Sequence, residues 1–386
     1  MRIVKRLNKI GMKIRLFLTD PAKQTYFPEL PRKSPFEVRL EHLKWYARYR
    51  NFNKYYYLYG LDRKDISQND YLPYMLFYKI RDEINAVGNI GEYKANYICM
   101  LRDKFIFGRY LESLGLPTPK ILALCDKQTV RWIDSNIIEP LDNICRRDDF
   151  DCFLKQLLSE SAEGVHPLAL QRGRIFLNRT EATIEDVRTA IRNKSIIQQR
   201  VIQHDRMNQL YPHAVNTVRV VTAQNNGRAP EPLSAMVRIG AGGRHSDNWG
   251  FGGIAVGADL HTGKLSNFGM FRPDFGKRVD SHPDTGVKFG QFVIPFFEET
   301  LRLAVDLHQY FYGIHSIGWD FAITPAGPTC IEGNDDWGLP MMQIFDPKVL
   351  RRYFATLPAA HQAARKLGFD NHFKGDTNEY RSTKRT

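Results

Sequence analysis

The sequence predicts an α+β fold with largely antiparallel sheets behind a mainly helical N-terminal region. Three observations carry this. Residues 1 to 100 are rich in Tyr, Arg and Lys at helical spacing; from about residue 119 short strand patterns alternate with helical ones; and residues 316 to 335 (SIGWDFAITPAGPTCIEGND) read as a β-hairpin. A chain of 386 residues has room for two or three domains, or one elaborate domain with an added cap.

The elements follow in order. Residues 1 to 20 interrupt Ile3, Leu7, Ile10, Ile14, Leu16 and Leu18 with Arg2, Lys5, Arg6, Lys9, Lys13 and Arg15. This is not a secretory signal but a basic amphipathic helix, either resting on anionic membrane or docked on its own domain. The densest aromatic-basic stretch, WYARYRNFNKYYYLYG at 45 to 60, has two readings: aromatics that stack bases or sugars, or a helix with a core side and a snorkelling charged side. Residues 103 to 114 (DKFIFGRYLESL) form a helix stopped by Gly115 and Pro117. Beyond it ILAL, DDFDCFLKQLL, HPLALQRGRIFL and SIIQQRVI read as strands or strand-bearing segments, with IEDVRTAIR helical. TVRVVTA and LSAMVRIG flank a turn on NNGRAP, and RIGAGGRHSDNWGFGGIAVG (238 to 257) is too glycine-dense to be a packed element. A helix over 294 to 312 begins at Pro295 and ends before Gly313. The tail after about 368 reads as poorly ordered.

The formal charge of +13 implies a polyanionic neighbour: nucleic acid, anionic membrane, acidic glycan or nucleotide phosphates. Cys99, Cys125, Cys145, Cys152 and Cys330 form no CxxC pair and no zinc spacing, and their odd number argues against a disulfide framework, so a reducing cytoplasm is expected. No apolar run approaches the roughly 18 residues of a membrane span.

In the hairpin, alternation sets Ile317, Trp319, Phe321 and Ile323 against Gly318, Asp320 and Ala322, and Ile331 against Glu332 and Asn334. A turn with Pro325 in its second position and Gly327 in the left-handed position places Thr324 opposite Pro328 and Asp320 opposite Glu332. Facing carboxylates repel unless something positive lies between them, and Asp, Glu and Asn oxygens suit Mg²⁺ that also holds phosphates. The competing reading is a solvated hairpin face. Upstream, Lys155 ends a strand (DCFL) before the small-residue loop SESAEGV, a place to hold an anion, although no GxxxxGK[ST] loop is present. IIQQRVI (196 to 202) is a buried strand running into a linker, where backbone groups can face an adenine edge.

Taken in order, these pieces resemble the ATP-grasp superfamily, in particular the sugar-transfer-associated branch tied to bacterial cell-surface polysaccharide synthesis. The resemblance covers about residues 70 to 345 and is sharpest at Asp103-Lys104, NTVRVVT, DNWGFGGIAVG, HPDTG and IGWDFAITPAGPTCIEGN. It implies an ATP-grasp fold, two α+β subdomains clamping ATP, over 101–205 (phosphate loop and adenine hinge) and 206–367 (Mg²⁺ site), between a helical region at 1–100 and a flexible tail at 368–386. Asp320, Glu332 and Asn334 match the Mg²⁺ ligands, with Mn²⁺ an alternative; Lys104 and Lys155 match the phosphate lysines; Gln199, Arg200, Val201 and Gln203 match the adenine hinge. Relatives often carry Glu where Gln199 stands, and several glycines and a KP pair around the loop at Gly164. Arg219 is placed to meet the γ-phosphate or an acyl-phosphate, or to form a sheet-edge salt bridge. Asn216 precedes it; Asn248, Gly250, Gly252 and Gly253 would let backbone N–H groups approach an anionic reactant; His282 and Asp284 would orient an acceptor. The implied reaction joins a carboxylate to an amine through an acyl-phosphate, with ADP released and a polysaccharide precursor as substrate. The alternatives are a kinase acting on a hydroxyl and a nucleotide-binding scaffold without turnover; nucleic-acid binding is disfavoured.

Overall fold

The computed structural model describes residues 25–85, 89–90, 93–94, 97–158, 164–225 and 228–368. The expectations for residues 1 to 20, for most of the SESAEGV loop and for the tail beyond 368 lie outside these residues. No helix among the described residues is long and apolar enough to cross a membrane. The chain divides into two compact units, one of residues up to Asp82 and from Gly338 onward, the other Glu83–Trp337. Residues from Gly338 onward cluster with those up to Asp82.

In the first unit the helix Pro35–Tyr49 starts at Ser34, whose hydroxyl caps Glu37 N–H while the Glu37 carboxylate accepts from Ser34 N–H, and it stops at Arg50 in the left-handed region (φ 54°). Val38, His42 and Trp45 recur at helical spacing and turn inward. Tyr56, Tyr57, Leu58 and Tyr59 are buried in turns rather than on a helix. The tyrosine-rich stretch is thus core, because an unbroken apolar-aromatic run suits turns buried on several sides better than a one-sided helix.

The second unit contains a short ribbon, β1 (Asn89–Ile90) with β2 (Tyr93–Lys94), and two larger sheets. The first sheet uses β3 (Ile121–Cys125), β4 (Thr129–Trp132), β5 (Ile138–Pro140), β6 (Phe150–Gln156), β7 (Val165–Gln171), β8 (Arg174–Leu177), β9 (Thr180–Ala182) and β10 (Ser195–Gln199). Their order is β5-β4-β3-β10-β6-β7-β8-β9. The second sheet uses β11 (Thr217–Ala223), β12 (Glu231–Ile239), β13 (Ile254–Ala258), β14 (Gly269–Phe271), β15 (Arg278–Val279), β16 (Ser316–Thr324) and β17 (Gly327–Asn334), in the order β15-β14-β13-β12-β11-β16-β17. Every pairing is antiparallel, as expected.

One face of the second sheet buries Val218, Val220, Val237, Ile239, Ile254, Ile317, Trp319, Phe321 and Ile323 with the helices Lys104–Ser113 and Phe297–Gln309. That core leaves the alternate residues for the opposite face. The helix Phe297–Gln309 starts later than its proline suggested: Phe296 is left-handed (φ 54°) and Ile294 N–H bonds the Gly263 carbonyl, so Pro295 lies in the approach.

Candidate active site

The hairpin β16–β17 pairs Asp320 with Glu332 as the sequence reading required, but by another route. The turn is tighter than expected: Thr324 faces Gly327 and Ile323 faces Pro328. A bulge between the Asp320 and Phe321 pairs, with Cys330 opposite Phe321, then inserts Ile331 and restores the Asp320–Glu332 pair. The solvated-face alternative is excluded, because Asp320 is wholly buried.

Register across the sheet builds the rest. Arg219 on β11 stands beside Asp320, and Thr217 stands between Ala322 and Arg238. Arg219 Nε and Nη2 donate to Asp320 Oδ1 and Oδ2, both at 2.7 Å, and Arg238 Nη2 donates to Oδ2 at 2.9 Å. The pair lies mid-sheet, not at an edge. Burial alone would raise the Asp320 carboxyl, but the two guanidiniums outweigh it and hold the group well below the usual carboxylate range. Glu332 goes the other way: burial, repulsion from Asp320 and a hydrogen bond to it push its carboxyl up. Asn334 Nδ2 lies 3.4 Å from both Asp320 Oδ2 and Glu332 Oε1.

This donor set suits a hard dication. Two carboxylates in contact need either a shared proton or a cation between them, and rotating the Asn334 amide by half a turn presents its oxygen to the same point. Asp320 already serves two arginines, so Glu332 and Asn334 offer the more open oxygens. Among the described residues no group of three or more His, Cys, Asp or Glu is placed to hold a metal; the donor set here is two carboxylates and one amide.

Lys155 comes from the first sheet and Lys104 from the start of a helix. Asp103 Oδ1 caps the helix Lys104–Ser113 by accepting from Phe105 and Ile106 N–H, and Lys104 N–H bonds the Leu157 carbonyl just past β6. That contact brings Lys104 to the end of the strand carrying Lys155. Lys155 Nζ donates to Gln198 Oε1 at 2.8 Å, and Gln198 Nε2 donates to the Pro119 carbonyl. Burial pushes the Lys155 ammonium down to about 8, partly opposed by Glu332 and reinforced by Lys104. Both lysines are thus within electrostatic reach of Glu332.

The hinge residues divide. Gln199 and Arg200 are exposed where β10 ends, with Gln199 N–H on the Lys120 carbonyl and Arg200 Nη1 on Asp151 at 2.7 Å, and Val201 continues the linker. Gln203 does not present its side chain to a ligand: Nε2 donates to Asn208, Tyr211 and Ala214 oxygens, and Oε1 accepts from Asn216 N–H. Asn216 is likewise spent, donating to the Met207 and Tyr211 carbonyls and accepting from Gly240 N–H. His282 Nε2 donates to the Gly240 carbonyl at 2.7 Å and Nδ1 accepts from Asp284 N–H, while Asp284 accepts from Gly242 N–H. In this structure these hydrogen bonds tie loops together. The glycine turn also departs from expectation: Gly250 N–H bonds the Asn248 side chain, Gly252 N–H the Trp249 carbonyl and Gly253 N–H the Asn248 carbonyl. Those amides close the turn and are not aimed at a reactant. Gly253 is required sterically, since a Cβ there would lie 2.3 Å from the Asp247 carbonyl oxygen.

Sequence reading missed Arg238 and Asp247. Asp247 accepts from Thr217 N–H and hydroxyl and pairs with Arg238 at 3.4 Å, so it fixes the second guanidinium on Asp320. The signal lay in LSAMVRIG: placing Arg238 on the Arg219 face needs only the β11–β12 register.

The model of a protein family described as sugar-transfer associated ATP-grasp matches residues 91–356. Similar solved structures include N5-carboxyaminoimidazole ribonucleotide synthetase from Thermotoga maritima (11% identity, TM-score 0.33, covering 61% of this chain and 42% of that one). Others are D-alanine-D-alanine ligase from Coxiella burnetii (11%, 0.38, 71% and 62%) and L-amino acid ligase from Bacillus licheniformis (9%, 0.38, 67% and 46%). The match therefore spans less than two thirds of each of these chains. No curated protein matches.

Proposed function

The chain belongs to the sugar-transfer associated ATP-grasp family, and from that premise we propose that it is an ATP-dependent carboxylate–amine ligase that forms an acyl-phosphate and releases ADP and phosphate. The observation that carries the reading is the meeting of two lysines with a carboxylate–carboxylate–amide set backed by two arginines. Lys104 and Lys155 would hold the ATP phosphates, and Glu332, Asn334 and Asp320 would hold Mg²⁺ or Mn²⁺. When bound, the metal would supply positive charge that offsets the charge moving with the γ-phosphoryl group.

Each residue then has a defined task. Arg219 and Arg238 keep Asp320 ionised and fix its plane. Lys155, partly desolvated, places a strong point charge against the transferring group. Gln199, Arg200 and Val201 lie on the linker where adenine would dock against backbone. A substrate carboxylate attacks the γ-phosphorus and ADP leaves; an amine then attacks the activated carbonyl, phosphate leaves and the amine loses a proton. Positioning and charge suffice, without a covalent enzyme nucleophile.

We assign the acceptor to cell-surface polysaccharide precursors from the family's description, and the site of action to the cytoplasm, where ATP is found and the five free cysteines stay reduced. Turnover with candidate carboxylate and amine pairs should yield ADP and free phosphate together. Asp320→Ala and Glu332→Ala should each remove activity; full activity in both would overturn the site, and phosphate retained on the product would make the enzyme a kinase.

A further inference from the structure

The turn between β12 and β13 was expected to bind an anion through its glycine amides, and those amides are spent inside the turn. Two guanidiniums lie against it instead. A Cβ on Gly252 would come within 3.1 Å of Arg244 Nη1 and of the Phe275 ring, and one on Gly250 within 3.8 Å of Arg272 Nη1. The missing side chains make room for arginine rather than exposing backbone.

Register places these groups relative to the nucleotide end. Ile254 faces Phe271, so Gly253 and Arg272, one residue beyond each, face one another; Ala255 faces Arg238. Ile254, Val237 and Ile239 belong to the core face. By alternation Arg238, Ala255, Gly253 and Arg272 fall on the other face, the one that carries Arg219 and Asp320. The inner two arginines are neutralised by Asp320 and Asp247. The outer two are not comparably matched. Arg272 meets only Asp274, at 3.2 Å and 70% exposed, a pairing that water and salt weaken. Arg244 is exposed, leans on the Phe275 ring at 5.8 Å and donates to the Ala241 carbonyl, with no carboxylate partner among the described residues. Around the Tyr211 phenol, Asp284 acts against Arg244 and against Arg179 of the β8–β9 turn of the other sheet, and Asp284 is held two residues from Arg244 by Gly242 N–H.

We infer that Arg244 and Arg272 form the anion subsite of the acceptor, holding a carboxylate or phosphate group of the sugar substrate at the far end of the face that carries the Asp320–Glu332 pair. The inference rests on the ligase reading for its orientation, but the subsite is testable by itself. Guanidiniums suit this task because they grip planar or tetrahedral oxyanions in a fork. Between the two ends on that face lie Met236, Ala255 and Met270, all fully buried and outside the core cluster.

The experiment is calorimetric titration of the full chain loaded with Mg·AMP-PNP, using glucuronic acid, glucose 1-phosphate and glucose as probes. At least one anionic probe should bind and glucose should not; whichever anion binds tighter identifies carboxylate or phosphate as the group held. Arg244→Gln with Arg272→Gln should weaken the anion by about tenfold or more, the loss expected for charge-assisted contacts, while leaving AMP-PNP affinity unchanged. Arg244 is exposed and Arg272 half-buried, and a circular dichroism spectrum matching the parent confirms the fold. Binding of neither anion, equal binding of glucose, or an unaffected double variant overturns the inference. Arginine-dependent anion binding in a protein that fails to bind AMP-PNP would keep the subsite and remove the ligase reading.

Discussion

Lys155 shows what burial does to a functional charge. Its ammonium falls from 10.5 to about 8, so between those values the unfolded chain holds the proton more tightly than the folded one. Stability should therefore rise with pH from about 8 to about 10.5, while the charge available to phosphate in the folded protein is lost as pH passes about 8. ATP affinity is expected to fall as pH passes 8, and Lys155→Met should bind weakly with a flat profile; a fluorescent-nucleotide titration from pH 7 to 9.5 reads both. Arg219 is the opposite case, a cation committed to one buried partner. Arg219→Ala leaves Asp320 to Arg238 alone and should cost about 3–5 kcal/mol in a denaturant midpoint experiment, with Arg219→Lys in between because it keeps charge but loses the fork. A substitution no more costly than a surface change would refute the buried-pair account.

At the scale of the element, the hairpin β16–β17 depends on one inserted residue. Ile331 is the extra residue that brings Glu332 opposite Asp320 after a two-residue turn. Deleting Ile331 should leave the hairpin formed, since the pairs from Thr324–Gly327 to Phe321–Cys330 are untouched. Glu332 then follows Cys330 directly and still lies opposite Asp320 on the same face, so Mg²⁺-dependent nucleotide binding should survive the deletion, whereas a residue inserted between Ile331 and Glu332 would carry Glu332 to the core face and should abolish it. Retained metal dependence in the insertion variant would show that Glu332 is not a ligand. The glycine turn has a similar economy of means. Gly253→Ala forces a Cβ onto the Asp247 carbonyl and should lower stability by about 1–3 kcal/mol, loosening Arg238 from Asp320; thermal denaturation with and without Mg·ATP separates the two effects.

Over the whole molecule, nucleotide binding should appear as stability. Mg·ATP at about a hundred times its Kd would add about 2.7 kcal/mol to unfolding, and Glu332→Gln should remove the part of that gain that requires Mg²⁺. Chemical denaturation at fixed ATP with and without Mg²⁺ measures it. A Glu332→Gln protein with the full gain would displace the metal from the hairpin.

Local pattern was enough for much of this. Alternation placed Ile317, Trp319, Phe321 and Ile323 on the core face, and the ordered motifs identified the family. Such signals are local because side-chain direction follows from position along a strand or helix. Arg238 and Asp247 could not be placed that way: their roles exist only once β12 lies beside β11 and the loop after it folds back. Nor could the sequence reveal that the side chains of Gln203, Asn216 and His282 are consumed in loop-locking bonds, since a polar residue near a motif looks the same whether its partner is a ligand or a backbone carbonyl. The bulge at Ile331 marks the limit most plainly. The sequence by itself determined which oxygens could serve a cation; tertiary pairing decided that Asp320 and Glu332 meet, because cross-strand register depends on the turn and the bulge together.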